Sequence, residues 1–500
     1  MKKTRFIVAL VLVVILTMIC MSACDSGGKR KINGWEEGKI NIVYYTWGST
    51  EELALFQSVI DEFETENPDY NIIISKAGND YYGDLELRLT GKQAPDIVQM
   101  KPGYIQSYLK SGALLSLQNY VDESEEITDD MIWDFNDGYR YNKETGIIGN
   151  HADDLYCLIK DFSCDFVMNY NQNLVTSTVA QGSYPKEGST NYPSTTTPMS
   201  WSEYMDFAGA MQLGSTKGAA LDNEPFQQLL EWVEQCGGSL YSADGKSVND
   251  IATTPALRQA FDYYRMLRDK CSKSPAFKNS YDATSVSNDW YASTDIKTAQ
   301  SLSSLTAVQV GPGQLKQNQA ASIFYGRWAY TTYGMDAGSN CTTGFAPPPV
   351  PNNLVVEEDT KYAGITAMVG MAITKKCENP DAAFKFLEYY FTKGQEIIAK
   401  EGFNIPGNKI VAETTFINDT TIDAKTREIN RFYYDLALNH GFVIKYNPYM
   451  PQSVVEDVFS AELSEYFAKS EGKAYSESLW VGTLNTITSE LRKNLANYVK

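Results

Sequence analysis

Strand and helix patterns alternate between residues 39 and 100, and this alternation constrains the fold more than any other feature. Runs rich in β-branched and aromatic residues at 39–48, 71–77 and 94–100 predict three strands, and the stretches between them predict helices. Strands that follow one another through a helix pair in parallel, because the connection must cross back over the sheet. The sequence therefore predicts an α/β fold.

Two of the predicted helices begin with hydroxyl residues that are suited to capping. Ser49 or Thr50 precedes the first apolar helical stripe, and Ser200 or Ser202 precedes a later one. A hydroxyl oxygen at this position accepts a hydrogen bond from a backbone N–H that has no partner inside the helix. These residues therefore mark the predicted starts of the two helices.

The first residues of the chain have the pattern of a secretory leader. A basic start precedes an apolar run at 6–16, which is shorter than the roughly 20 residues of a membrane-spanning helix. Met21–Cys24 resembles the lipobox of bacterial lipoproteins, with Met21 in place of the usual Leu. The resemblance implies a signal peptide over 1–23 and a lipid-modified Cys24, followed by a flexible tether over 24–39. An ordinary cleaved signal with an incidental cysteine is the alternative.

Charge and residue usage exclude several classes of protein. The formal net charge of −19 disfavours binding to nucleic acid, because an acidic surface repels phosphates. His151 and His440 are the two histidines of the sequence, which rules out His-Glu-x-x-His zinc sites and multi-histidine cages. We predict no metal and no cofactor. The six cysteines after Cys24 contain no Cys-x-x-Cys pair, and their pairing stays open.

Signatures of catalysis are also missing. The sequence has no Gly-x-Ser-x-Gly nucleophile motif. A glycosidase needs only two carboxyl groups, and 62 acidic residues make some pair near a cleft inevitable. We predict that the protein is not an enzyme, with a surface glycoside hydrolase as the alternative.

The order of the motifs carries a resemblance to a known family. "FETENPDYNIII", "APDIVQM", "YLKSGALLSLQNYV", "VMNYNQNLV" and "NQAASIFYGRWAY" occur in the order found in the extracellular solute-binding proteins of ABC importers, a family that includes the maltose-binding protein. The resemblance covers about residues 40–500. It implies a two-lobed periplasmic-binding-protein-like fold whose lobes close on a ligand in the cleft between them.

The resemblance also implies the lobes, the partners and the location. The first lobe is expected at 40–160 plus 346–415, and the second at 161–345 plus 416–500. The expected ligand is a carbohydrate, and the chain length favours an oligosaccharide. A monomer held by its lipid on the extracytoplasmic face of the cell membrane would deliver it to a permease. A peptide or polyamine ligand on the same fold is the alternative.

Sugars need flat aromatic rings beside groups that form several hydrogen bonds, since sugar rings combine apolar faces with hydroxyl edges. Most aromatic residues are nevertheless expected in the core. Trp232 and Phe261 lie on apolar helical stripes, and the family pattern makes Trp201 a packing residue. The candidate ligand contacts lie in loops after strands or in segments that match the family: Trp47, Gly48, Asp80, Tyr81, Asp96, Trp290, Arg327, Trp328, Tyr362 and Gly364.

Trp328 is the strongest single candidate among them. It ends "YGRW", which matches a Gly-x-Trp segment whose Trp stacks on sugar in the family. Arg327 departs from the less charged residue that is common there. This departure predicts a ligand with an acidic or unusually polar group.

Overall fold

The computed structural model describes most of the chain. The described part does not include the leader, Cys24 or Trp290. Within the described part, no helix is long and apolar enough to cross a membrane. The described residues are 32–78, 80–180, 192–211, 225–271, 321–333, 342–470 and 473–499, together with Gly188.

The strands of the described residues are short, and most of them belong to two sheets. They are β1 (Ile40–Thr46), β2 (Tyr70–Lys76), β3 (Ile97–Met100), β4 (Arg140–Tyr141), β5 (Asp154–Leu155), β6 (Leu158–Phe162), β7 (Met168–Asn171), β8 (Ser322–Phe324), β9 (Thr343–Ala346), β10 (Ala363–Ile365), β11 (Val369–Ile373), β12 (Ile405–Pro406) and β13 (Gly441–Val443).

The helices connect many of the strands, follow the last one, and contribute side chains to both cores. They are α1 (Thr50–Glu66), α2 (Tyr81–Thr90), α3 (Ile105–Lys110), α4 (Gln118–Asp122), α5 (Gln172–Ala180), α6 (Trp201–Ala210), α7 (Pro225–Gln235), α8 (Pro255–Cys271), α9 (Trp328–Tyr333), α10 (Pro380–Tyr389), α11 (Gln395–Lys400), α12 (Lys409–Val411), α13 (Ala424–His440), α14 (Gln452–Ser470) and α15 (Glu477–Leu495). Shorter 3₁₀ segments span Asp129–Met131 and Asp134–Tyr139, and π-helical turns span Tyr390–Gly394 and Ala412–Phe416.

The larger sheet has six strands in the order β12-β6-β11-β3-β1-β2. β1 pairs in parallel with both β2 and β3, so the predicted α/β pattern is confirmed. β11 runs antiparallel to β3 and β6, which makes the sheet mixed. The sequence did not indicate this strand, because it reaches the sheet from a distant part of the chain.

Both predicted helix starts are capped by the first of the two candidate hydroxyl residues. Ser49 Oγ accepts a hydrogen bond from the Glu52 backbone N–H, and the Glu52 carboxylate accepts one from the Ser49 N–H at 2.7 Å. Ser200 and Glu203 form the same pair of bonds at the start of α6. The cap at Ser49 fixes how the loop after β1 enters α1.

A smaller sheet has the order β8-β7-β9, and all its pairs are antiparallel. Helices α6, α7, α8, α14 and α15 contribute side chains to the core beside this sheet. Trp201, Trp232 and Phe261 are buried in that core, which confirms the prediction that they pack.

The two sheets belong to two hydrophobic cores, so the two-lobed fold is confirmed. The first lobe is built on the six-stranded sheet and the second on the three-stranded sheet with its helices. Within the described residues the chain passes from one core to the other after β6, after β9 and after α13, and α9, which follows β8, also places Ala329 and Tyr330 in the first core. The predicted lobe boundaries stay a prediction.

These passages meet at the junction between the lobes. Cys164 forms an antiparallel bridge with Ile365, and β10 pairs in parallel with β13. We call Ser163–Asp165, which follows β6, the first crossing. It is connected by hydrogen bonds both to β10 and, as described below, to the turn before α9.

Candidate functional site

The loop after β1 contributes an aromatic cluster to the first lobe. The Trp47 ring lies perpendicular to Tyr81, with ring centres 4.6 Å apart, and Lys101 Nζ lies 6.0 Å from the Trp47 ring centre. Tyr82 stacks on Tyr104 with ring centres 3.9 Å apart. Trp47 is half-buried, so the cluster presents aromatic surface where β1 and β3 end.

Several candidate residues of the first lobe make contacts within the fold. The Tyr81 hydroxyl donates to the Gln99 carbonyl at 2.9 Å and accepts from the Gln99 N–H. Asp80 is exposed and accepts a hydrogen bond from Gly83 N at the start of α2. The buried Asp96 carboxylate accepts from the Val43 N–H at 2.8 Å and thereby joins β3 to β1. Their contact with ligand stays a prediction, as does that of Trp47 and Gly48.

Trp328 begins α9 and is held by the first crossing. Its indole N–H donates to Asp165 Oδ1 at 2.7 Å, and Tyr325 lies perpendicular to its ring at 5.3 Å. The ring is half-buried at the junction between the lobes. An aromatic ring fixed in this way can stack on an apolar face of a ligand.

The Arg327 side chain is buried and contacts α13. It is 3% exposed, its Nε donates to Asn430 Oδ1 of α13 at 2.8 Å, and its guanidinium carbon lies 5.1 Å from the Tyr330 ring centre. The guanidinium thus lies beside Tyr330, a residue of the first core. The ligand preference predicted from Arg327 stays a prediction.

Tyr362 and Gly364 lie on the second passage of the chain. Tyr362 stacks on His440 with ring centres 4.7 Å apart, and its carbonyl accepts from Gln235 Nε2 at 2.7 Å. A Cβ at Gly364 would lie 2.7 Å from Glu231 Oε2, so β10 approaches α7 closely because position 364 lacks a side chain.

Glu231 is a buried acid that no sequence pattern indicated as a site residue. Its exposure is 0%, and burial raises the pKa of its carboxyl well above the usual value. The backbone N–H of Gly364 partly offsets this rise, and the charge of Asp165 adds to it. The carboxyl therefore favours its neutral form at the junction.

Asp165 and Tyr446 were also missed as site residues. Burial raises the pKa of the Tyr446 hydroxyl, and the carboxylates of Glu456 and Asp165 contribute, so these groups share one neighbourhood. The signal that could have found them is their place next to a passage between the lobes. Asp165 follows β6 and Tyr446 follows β13.

The lobes also touch at their rims, in what we call the rim contact, between residues 103–110 and 447–456. Tyr104 Oη donates to Glu456 Oε2 at 2.5 Å, and the Gln452 N–H donates to the Gly103 carbonyl at 2.9 Å. Further bonds join Gln106 Nε2 to the Asn447 carbonyl and Lys110 Nζ to the Tyr449 carbonyl. These bonds form only while the two rims are together.

No group of three or more His, Cys, Asp or Glu side chains suited to a metal occurs in the part of the chain that the structure describes. The candidate residues and their neighbours carry aromatic rings, carboxyl groups and amides. Such groups bind a polar organic molecule through stacking and hydrogen bonds.

We expect Glu231→Gln to become progressively more favourable than the native residue as pH rises. Because the pKa of Glu231 is raised in the folded protein, the unfolded chain loses this proton first, and stability falls as pH rises from about 4.5 towards the folded pKa. Glutamine carries no such proton. The measurement is the free energy of unfolding of both proteins in urea from pH 4 to 8.

Glu125→Gln, at an exposed position, is the control for the loss of one acid. It should follow the native protein across the pH range. A constant difference between Glu231→Gln and the native protein over that range would contradict the prediction.

Known proteins similar to this chain agree with the two-lobed fold. The model of the family described as bacterial extracellular solute-binding protein matches residues 47–397. No curated protein sequence matches significantly. Among solved structures, the ABC substrate-binding protein Lmo0181 from Listeria monocytogenes, in complex with cycloalternan, has a TM-score of 0.65 at 16% identity and covers 91% of this chain and 99% of its own.

Two further structures show the same fold. The GacH receptor of Streptomyces glaucescens GLA.O, solved unliganded and with acarbose, has a TM-score of 0.66 at 15% identity, covering 92% of this chain and 99% of its own. UgpB from Mycobacterium tuberculosis, in complex with glycerophosphocholine, has a TM-score of 0.64 at 17% identity, covering 93% and 100%. Because the family model matches more than half of this chain, the chain belongs to the bacterial extracellular solute-binding protein family.

Proposed function

We propose that this protein is the lipid-anchored substrate-binding subunit of an ABC importer and that it binds a carbohydrate between its lobes. The observation that carries the proposal is the Trp328 ring, half-buried at the junction with its indole N–H bonded to Asp165. The Trp47 cluster of the first lobe offers a second aromatic surface. Carboxyl groups and flat rings together suit the hydroxyl edges and apolar faces of a sugar.

The similar structures support the ligand class. Lmo0181 was solved with cycloalternan, GacH with acarbose, and MalE from Bdellovibrio bacteriovorus with maltotriose. UgpB was solved with glycerophosphocholine, so a glycerol phosphodiester belongs in any ligand screen. An oligosaccharide fits the 500-residue length and the long connectors of the chain.

Ligand binding would act by shifting a population. A ligand that contacts both lobes favours the arrangement in which the lobes are together, and only by the free energy of those additional contacts. The joined form would then dock on the permease, and no bond of the ligand would be broken. Catalysis by a carboxyl pair is the alternative that a test of hydrolysis distinguishes.

We expect one class of carbohydrate to raise the melting temperature of the purified protein. A ligand that binds only the folded state adds about 2.7 kcal/mol at a hundred times its dissociation constant. The panel contains mono- and oligosaccharides, with amino acids, peptides, polyamines and glycerophosphocholine as controls. Chromatography of the sugar after incubation tests for hydrolysis.

A shift with sugars and no change in the sugar would support the proposal. A shift produced only by a control compound would overturn the carbohydrate assignment. New reducing ends would show that the protein is a hydrolase.

We expect Trp328→Ala to weaken binding of that sugar by about 0.5–1.5 kcal/mol, because the aromatic partner is lost. Isothermal titration calorimetry measures the dissociation constants. Tyr498→Ala, at a partly exposed aromatic residue near the end of the chain, is the control. Equal affinities for the native protein and Trp328→Ala would remove Trp328 from the site.

We expect Cys24→Ala to release the protein from membranes. Each buried CH₂ of an acyl chain contributes about 0.8 kcal/mol, so the loss of lipid moves the protein from detergent to water. Phase partitioning in Triton X-114 after expression in a bacterium measures this. Cys20→Ala is the matched control and should stay with the detergent, whereas detergent partitioning of Cys24→Ala would contradict the lipid anchor.

A further inference from the structure

Asp165 connects the Trp328 ring to the passages of the chain between the lobes. Its Oδ1 accepts the indole N–H at 2.7 Å, and its backbone N–H donates to Thr366 Oγ1 at 3.2 Å. Thr366 directly follows β10 on the second passage. One residue therefore contacts the candidate stacking ring through its side chain and the junction through its backbone.

Gly326 allows this close contact. A Cβ at position 326 would lie 2.2 Å from Asp165 Oδ1 and 2.8 Å from both Ser163 Oγ and Trp328 Nε1. Real Cβ atoms do not approach other atoms so closely. The turn before α9 can press against the first crossing only because this position has no side chain.

Ser163 adds a second bond between the same two segments. Its Oγ accepts the Arg327 backbone N–H at 2.9 Å and donates to the Cys164 carbonyl at 3.1 Å. The first crossing thus binds the turn at both Arg327 and Trp328. The indole ring cannot rotate freely while both bonds exist.

The charge of Asp165 acts on several buried titratable groups near it. Burial is the main cause of the raised pKa values of Glu231, Tyr446 and Cys164, and the charge of Asp165 adds to each rise. A hydrogen bond to an ionised acceptor is stronger and shorter than one between neutral groups. The Asp165 carboxylate is therefore well suited to fix the orientation of the indole.

We propose that Asp165 is a positioning residue for Trp328, which holds the ring in the orientation that accepts ligand and joins it to the crossing between the lobes. The inference rests on the proposed function, because it assigns Trp328 the stacking role. Asp165 acts through the ring. Preorganising a side chain in its bound rotamer improves affinity by removing an ordering cost.

The first test needs no ligand. The indole ¹⁵N–¹H signal of Trp328 is assigned in ¹⁵N-Trp-labelled protein by its absence in Trp328→Phe. A proton bonded to a carboxylate resonates downfield, so we expect the signal to move upfield in Asp165→Ala and to stay closer to its native position in Asp165→Asn, which keeps an acceptor oxygen. An unchanged signal in Asp165→Ala would overturn the proposal.

The second test measures affinity for the sugar found in the melting screen. We expect roughly three- to tenfold weaker binding in Asp165→Ala and recovery of most of that loss in Asp165→Asn. In the Trp328→Phe background, Asp165→Ala should cause no further loss, because the indole N–H on which Asp165 acts is gone. Asp61→Ala, on the exposed face of α1, is the control.

Two binding results would overturn the proposal: native affinity in Asp165→Ala, or the same loss from Asp165→Ala with Phe at position 328. The second result would mean that Asp165 acts on the ligand or the fold without the ring. If no sugar binds the native protein, the proposed function fails instead. The indole signal then decides alone whether Asp165 holds the ring.

Discussion

The first crossing, Ser163–Asp165, is the contact on which the arrangement of both lobes depends. Buried backbone groups must find partners, and a chain that leaves one sheet for another loses the neighbours that supplied them. Here the backbone of Cys164 pairs with that of Ile365, and the Asp165 N–H donates to Thr366 Oγ1. Residues of the second passage therefore supply hydrogen-bond partners for the backbone of the first crossing. The side chains on either side of Cys164 hold the turn before α9. Backbone pairing and ring placement are consequences of the same short segment.

Two buried acids near this segment avoid an unpaired buried charge in opposite ways. Asp161 lies just before the crossing and forms an ion pair with Lys160 at 2.5 Å, while Asn404 donates to its other oxygen at 2.9 Å. Removing one partner of such a pair costs about 3–5 kcal/mol, because the remaining charge stays buried. Glu231, in contrast, faces the Gly364 backbone, and its raised pKa favours the neutral form. The neutral acid makes the junction sensitive to pH.

Local features of the sequence predicted local features of the structure. The caps at Ser49 and Ser200 and the parallel strands of the first hundred residues depend on residues close in sequence, and all were confirmed. The antiparallel β11 was not anticipated, because its pairing joins distant segments. Asp165 was missed for the same reason: its partner Trp328 lies far along the chain. A charged residue beside an expected passage between lobes would have been a usable signal, but only the fold shows which ring it meets.

The rim contact and the first crossing contribute to ligand binding in different ways. A hydrogen bond contributes about 0.5–1.5 kcal/mol between neutral groups and about 1.5–3 kcal/mol where one group is charged, so the bonds between residues 103–110 and 447–456 already favour joined lobes. A ligand then needs to supply only the remaining difference between separate and joined lobes. That difference depends on contacts made on both sides of the junction. A ring fixed to the first crossing is in place before the lobes meet, so less of the binding free energy goes into ordering the site.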